Sequence, residues 1–127
     1  ATSAGLLGPG MSVELELTST GNYRKISIVA MALPTNDTLV AMRGMQLPKR
    51  HHKTVTYYMK AYDGGSELND ELCTSIPGPH CGGSPFSPED EGEGYIYPSP
   101  GIHGEADLSR AAYNWQGPVA RVVIKRM

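Results

Sequence analysis

Lys53-Thr54-Val55-Thr56-Tyr57-Tyr58-Met59 alternates residue by residue, with Val55, Tyr57 and Met59 on one side and Thr54, Thr56 and Tyr58 on the other. A period of two is the mark of a strand with one buried face. The chain then passes into Tyr62-Asp63-Gly64-Gly65-Ser66-Glu67-Leu68-Asn69-Asp70-Glu71, an oxygen-rich loop. A strand followed by an acidic loop occurs once more. Tyr23 to Leu33, β-branched and mostly apolar, leads into Pro34-Thr35-Asn36-Asp37. Its mostly apolar, β-branched character reads as a central strand.

Working outward, Met11 to Leu17 alternates as well, Val13, Leu15 and Leu17 against Ser12, Glu14 and Glu16, and predicts a half-buried strand. Val119 to Lys125 does the same with Ala120, Val122 and Ile124 on one face. Leu39 to Met42 and Tyr95-Ile96-Tyr97 are shorter extended stretches, and Asp107 to Tyr113 allows one helical turn. Residues 73 to 94 form a long loop rich in Pro, Gly and acid, too irregular for a buried element. No segment keeps a 3.6 period, and no repeat is present. Short strands separated by turn signals predict an all-β fold, an antiparallel β-sandwich with long Pro/Gly-rich loops, as a single domain over residues 1–127.

The balance of 11 Lys and Arg against 13 Asp and Glu leaves a net charge of −2, which argues against a nucleic-acid binder. The longest apolar run, Ile26 to Leu33, is far short of the roughly 20 residues that cross a bilayer. The first residues, Ala1-Thr2-Ser3-Ala4-Gly5, read as the start of a processed or excised chain. Cys73 and Cys81 bracket Thr-Ser-Ile-Pro-Gly-Pro-His. A pair closing such a loop predicts a disulfide in an oxidising compartment, contributing roughly 2–3 kcal/mol. Free thiols, or half of a metal site, are the other readings.

Calcium takes six to eight oxygens from carboxylates, amides and carbonyls. Asp63 and Glu67 flank a Gly-Gly-Ser turn, and Asp37 offers a third carboxylate from the other loop. Asn36, Asn69, Asp70 and Glu71 are reserve oxygens. The spacing does not fit an EF-hand, and the same residues are common in plain solvated turns. Asn36-Asp37-Thr38 also matches a glycosylation acceptor, and Glu89-Asp90-Glu91-Gly92-Glu93 offers a second acidic run. His51, His52, His80 and His103 are candidate transition-metal ligands, though His51 and His52 point to opposite faces of an extended chain. Lys49-Arg50-His51-His52-Lys53 is either a contact for an acidic glycan or anionic surface, or a solvated hairpin loop. No nucleophile elbow, P-loop, dinucleotide fingerprint or zinc-hydrolase helix is present, so the chain reads as non-enzymatic.

Met31-Ala32-Leu33-Pro34-Thr35-Asn36-Asp37, Ala61 to Glu71, Pro100-Gly101-Ile102-His103-Gly104 and Trp115-Gln116-Gly117-Pro118-Val119-Ala120 together resemble the spondin domain in order and spacing. The likeness is to its bacterial and other secreted single-domain members. The loop from Cys73 to Cys81 fits the same pattern. The resemblance implies a β-sandwich similar to a C2 domain, an extracellular location, and a Ca2+ ion at one end of the sandwich. Its ligands would be Asp37, Asp63 and Glu67, with Asn36, Asn69 and Asp70 less firmly placed. Glu67 stands where the family carries Asp, and its longer side chain changes the denticity available.

The resemblance also marks a departure. Gly8-Pro9-Gly10-Met11-Ser12-Val13 matches a point well inside the family's domain, so the usual N-terminal section is lacking and the N-terminal edge is expected to be incomplete. A strand from a second chain would complete it. The expected function is a secreted, calcium-binding module for adhesion or extracellular surface or matrix assembly, its partner an extracellular protein or glycan. Alternatives are a subunit of an extracellular polymer and, more distantly, a His-based transition-metal protein.

Overall fold

The computed structural model describes residues 1–87 and 92–127. Five strands form one connected sheet: β1 Lys25–Met31, β2 Thr38–Gln46, β3 Thr54–Asp63, β4 Tyr97–Pro98 and β5 Ala120–Lys125. All pairings are antiparallel. Among the described residues, regular helix is confined to a 3-10 turn at Cys73–Ser75 and a single α-turn, α1, at Arg110–Tyr113. No helix among the described residues is long and apolar enough to cross a membrane.

β3 is the spine. Its C-terminal half pairs with β2, Thr38 opposite Asp63 and Ala41 opposite Lys60, while its N-terminal half pairs with β5 on the other edge. β4 takes up that same edge beyond β5, at Tyr62 and Asp63. The β-branched and aromatic alternation of β3 and β5 suits a pleated sheet, and the register puts the apolar sets on one face. Val55, Tyr57, Met59, Ala120, Val122 and Ile124 are half-buried or buried there, while Arg121, Val123 and Lys125 are exposed.

β2 continues through Gly44 where the sequence shows only the short stretch Leu39 to Met42. A bulge explains this. Ile26 pairs with Met45 and Ile28 with Met42, so two β2 residues oppose one of β1. Gly44 takes φ 67°, and its N–H donates to Ser27 Oγ at 3.0 Å. Extra residues in the left-handed region at bulges favour glycine.

Three expectations are corrected. Tyr23 to Leu33 is not central: among the described residues β1 pairs only with β2 and lies at the sheet edge. Met11 to Leu17 is no strand: it is irregular, and Val13, Leu15 and Leu17 are exposed. An alternating pattern needs a neighbouring strand to supply its hydrogen bonds, and none of the described residues does so. Third, the loop after Cys73 does hold a buried element. Ile76 is fully buried and, with Ile102 and Leu108, forms an apolar cluster against Cys73, Cys81, Tyr113 and Trp115. The Cys73–Cys81 disulfide is formed. It ties down the turn that presents Ile76, so a Pro/Gly-rich segment can carry core.

Candidate functional site

The pairing of Thr38 with Asp63 sets the site. It puts the loop before β2 against the loop after β3, so the two acidic clusters meet at one end of the sheet. The first is a compact turn. Thr35 Oγ1 donates to the Ala32 carbonyl at 2.6 Å and accepts from the Thr38 N–H at 3.2 Å. Thr35, Asn36, Asp37 and Thr38 are all buried, which rules out an ordinary solvated turn. The Asn36 amide donates to Asp70 Oδ1 at 3.0 Å, so the side chain that a glycan would need is enclosed and engaged.

Asp37 holds the second loop. Its Oδ2 accepts from the Ser66 N–H and Ser66 Oγ, both at 2.7 Å, and from the Glu67 N–H at 3.1 Å. Its Oδ1 is buried with no hydrogen-bond partner among the described residues. Such an atom costs free energy unless a cation or a donor satisfies it. Gly64 permits the approach: a Cβ there would lie 3.0 Å from Asp37 Oδ2 and 3.1 Å from its carbonyl oxygen.

Asp63, the last residue of β3, is fully buried. Its Oδ1 accepts from the Gly65 N–H at 2.8 Å and its Oδ2 from the Asn69 amide at 2.6 Å. Asn69 also reaches the Tyr97 hydroxyl at 3.3 Å, and that hydroxyl donates to Glu93 Oε1 at 2.8 Å. Burial, then the neighbouring Glu93 and Asp63 carboxylates, push the Tyr97 hydroxyl well above the usual phenol range. It therefore stays a neutral donor. Glu67 is half-buried and accepts from Ser87 Oγ at 3.2 Å. Burial raises its pKa, the Ser87 bond opposes this, and the Asp37 and Asp70 charges add to the rise. Asp37, Glu67 and Asn36, with Met31, Leu39 and Ile96, line a pocket of about 320 Å³.

The structure thus holds the two loops by three separate sets of bonds, Asn36 with Asp70, Asp37 with Ser66 and the Glu67 N–H, and Asp63 with Gly65 and Asn69, while the Glu67 carboxylate bonds Ser87. Among the described residues, the only three His, Cys, Asp or Glu side chains whose ligand atoms all lie within 4.8 Å of one another are Cys73, His80 and Cys81. Both sulfurs of that set are committed to the disulfide. Asp37, Asp63 and Glu67 do not close to that spacing. The donor set nevertheless fits a hard cation: every available ligand is oxygen, and one buried carboxylate oxygen is left over. Glu89, Asp90 and Glu91 of the second acidic run lie outside the described residues.

Glu71 has a different role from the reserve oxygen expected. It takes φ 55° and is buried. Its carboxylate accepts from three consecutive backbone N–H groups, His103 at 2.5 Å, Gly104 at 2.8 Å and Glu105 at 2.9 Å. Burial raises its pKa, but the three donors and His103 more than offset that and hold it below the usual Glu range. Glu71 is the clasp of the Pro100-to-Gly104 turn. Sequence alone assigns Ser66, Ser87 and Tyr97 no role at the site: loop hydroxyls such as those of Ser66 and Ser87 carry no periodic signal, and Tyr97 reads only as part of a short strand.

The four histidines do not converge. His80 Nδ1 lies 2.9 Å from the Tyr113 hydroxyl, His51 Nδ1 lies 2.8 Å from the Met127 carbonyl, and His103 lies 3.7 Å from Glu105. His52, next to His51, takes φ 57°.

Comparison with protein-family models, with curated proteins and with solved structures gives no match for this chain.

Proposed function

We propose that the chain is an extracellular, non-catalytic binding module in which a calcium ion ties the 34–37 loop to the 63–70 loop, for adhesion or for surface or matrix assembly. The observation that carries this reading is the buried, unpartnered Oδ1 of Asp37 inside an all-oxygen donor set. Asp37, Asp63 and Glu67 would hold the ion, with Asn36, Asn69 and Asp70 supporting them. The disulfide accords with an oxidising compartment. The order of motifs resembling a spondin domain, a resemblance that implies a C2-like sandwich, supports the same reading.

An ion that binds only the folded state raises stability, by about 2.7 kcal/mol at a hundredfold excess over Kd. Melting curves with calcium and with chelator test this. A higher melting temperature in calcium is expected, and Asp63→Ala should abolish the difference. Superimposable curves for the unaltered protein would defeat the proposal.

One observation favours a second reading, a polymer subunit completed by a strand from another chain. Val13, Leu15 and Leu17 are exposed on an unpaired segment, while β1 and β5 each lack a neighbour on one edge among the described residues. Light scattering across a concentration series separates the two: large assemblies support the polymer, a monomer at all concentrations supports the module.

A further inference from the structure

Charge is segregated along β3. Its C-terminal end opens into the acidic loop, whereas Thr54 at its start follows Lys49-Arg50-His51-His52-Lys53. Antiparallel pairing brings more cations to that same end. Lys25 pairs with Gln46, and the Leu47 N–H donates to the Arg24 carbonyl, so β1 begins there. Lys125 pairs with Thr54, so β5 finishes there. The Arg126 guanidinium then donates to the carbonyls of Lys49 at 2.7 Å and Pro48 at 3.5 Å, and the His52 N–H donates to the Arg126 carbonyl at 2.7 Å. These bonds lock the basic hairpin onto the end of β5.

Arg24, Lys25, Lys49, Arg50, Lys53 and Lys125 are left exposed. None is in an ion pair among the described residues, where the one ion pair is His103 with Glu105. Unpaired like charges gathered on a fixed frame repel one another and concentrate a counter-ion.

We propose that this end of the molecule docks a linear sulfated or carboxylated polysaccharide. The cations come from three separate segments, across β1, the hairpin and β5. Three strand spacings make that row at least about 14 Å wide, which suits a chain of anions better than a single small one. A second copy of this chain is a poorer partner. Its acidic end keeps Asp37, Asp63 and Glu71 buried and Glu67 and Asp70 half-buried, which leaves the exposed Glu93 as the fully accessible anion of that set for a neighbour's row of cations. Nucleic acid is the poorer fit because the Cys73–Cys81 disulfide accords with an oxidising compartment. The proposal names a partner class for the adhesion reading and rests on it, but its site lies at the opposite end from the ion loops.

The test is calorimetric titration of the full chain with a heparin-derived oligosaccharide, in calcium and in chelator. Binding at low salt should weaken about tenfold or more between 50 and 200 mM salt, as contact with a dense row of anions requires. The double variant Arg50→Glu/Lys125→Glu should lose about tenfold or more in affinity, while Lys60→Glu, on mid-strand β3, should change it less than about twofold. Both variants are on exposed side chains and their folding is checked by circular dichroism. Equal binding of an uncharged oligosaccharide of the same length or of single-stranded DNA would overturn the proposal. So would unchanged affinity in the double variant, or its abolishing a salt-sensitive self-association. Saccharide binding without any calcium response would leave this inference standing and remove the ion reading; a calcium response without saccharide binding would do the reverse.

Discussion

Ser66 gives Asp37 both its backbone N–H and its hydroxyl, each 2.7 Å from Oδ2, while Oδ1 of the same carboxylate is buried and unpartnered among the described residues. One oxygen of Asp37 is therefore a latch between two loops and the other is spare. The latch fixes where the spare oxygen points. A loop held by side-chain and backbone donors before any ion arrives loses less entropy when one binds.

Glu67 gives the sharpest contrast between metal-free and metal-bound protein. Its raised pKa means that the ionised carboxyl is disfavoured in the fold, by burial first and then by Asp37 and Asp70. In the metal-free protein its ionisation lowers stability as pH rises above its unfolded value, and protonation restores it as pH falls through the raised folded value. Glu67→Gln should therefore raise the melting temperature in chelator near neutral pH and shrink the rise produced by calcium. Thermal melts of both proteins in both buffers check the two signs together.

Glu71 has the opposite sign. Its carboxyl is held below the usual range, so its contribution is present above the unfolded pKa and is lost as pH falls through the folded value. Glu71→Gln leaves the three N–H groups of residues 103–105 with a weaker acceptor. A loss of about 1.5–3 kcal/mol is expected near neutral pH, the scale of one charge-assisted hydrogen bond. The loss should shrink as acid protonates Glu71 in the unaltered protein. Urea denaturation across pH 2.5 to 7 measures this; a constant difference over that range would contradict it.

Gly65 is required by both backbone and space. It takes φ 65°, and a Cβ would lie 2.1 Å from the Tyr95 carbonyl oxygen. Its N–H is bonded to Asp63 and its carbonyl accepts from the Gly94 N–H at 2.8 Å. Gly65→Ala cannot relieve the clash by turning a side chain, and strain at such a position alone costs about 1–3 kcal/mol. It should lower stability by at least that amount and weaken calcium binding. Gly10→Ala, also at positive φ but with nothing within 4 Å, should cost less and leave calcium binding unchanged.

The strands that find partners were legible from their period. Val119 to Lys125 reads as alternating, and β5 buries the faces of Ala120, Val122 and Ile124 as that period requires. Met11 to Leu17 has the same period yet stays unpaired, because alternation describes one strand and says nothing of its neighbour. Leu39 to Met42 reads as a short stretch, but a bulge uses the positive φ of Gly44 to carry β2 onward. At the site, the carboxylates were visible as a cluster, and their meeting follows from the pairing of Thr38 with Asp63. Which cluster member does what was not visible. Glu71 is set apart from Glu67 by three N–H groups from about thirty residues away that converge on it, contacts that no local sequence pattern announces.

The most direct measurement is a crystal structure of the protein grown in calcium, with anomalous scattering used to locate the ion. The account predicts a peak roughly 2.3–2.6 Å from Asp37 Oδ1, the Ca–O range, with Glu67 or Asp63 oxygen also within it. A peak confined to other carboxylates, or Asp37 Oδ1 contacting only protein or water at saturating calcium, would contradict it.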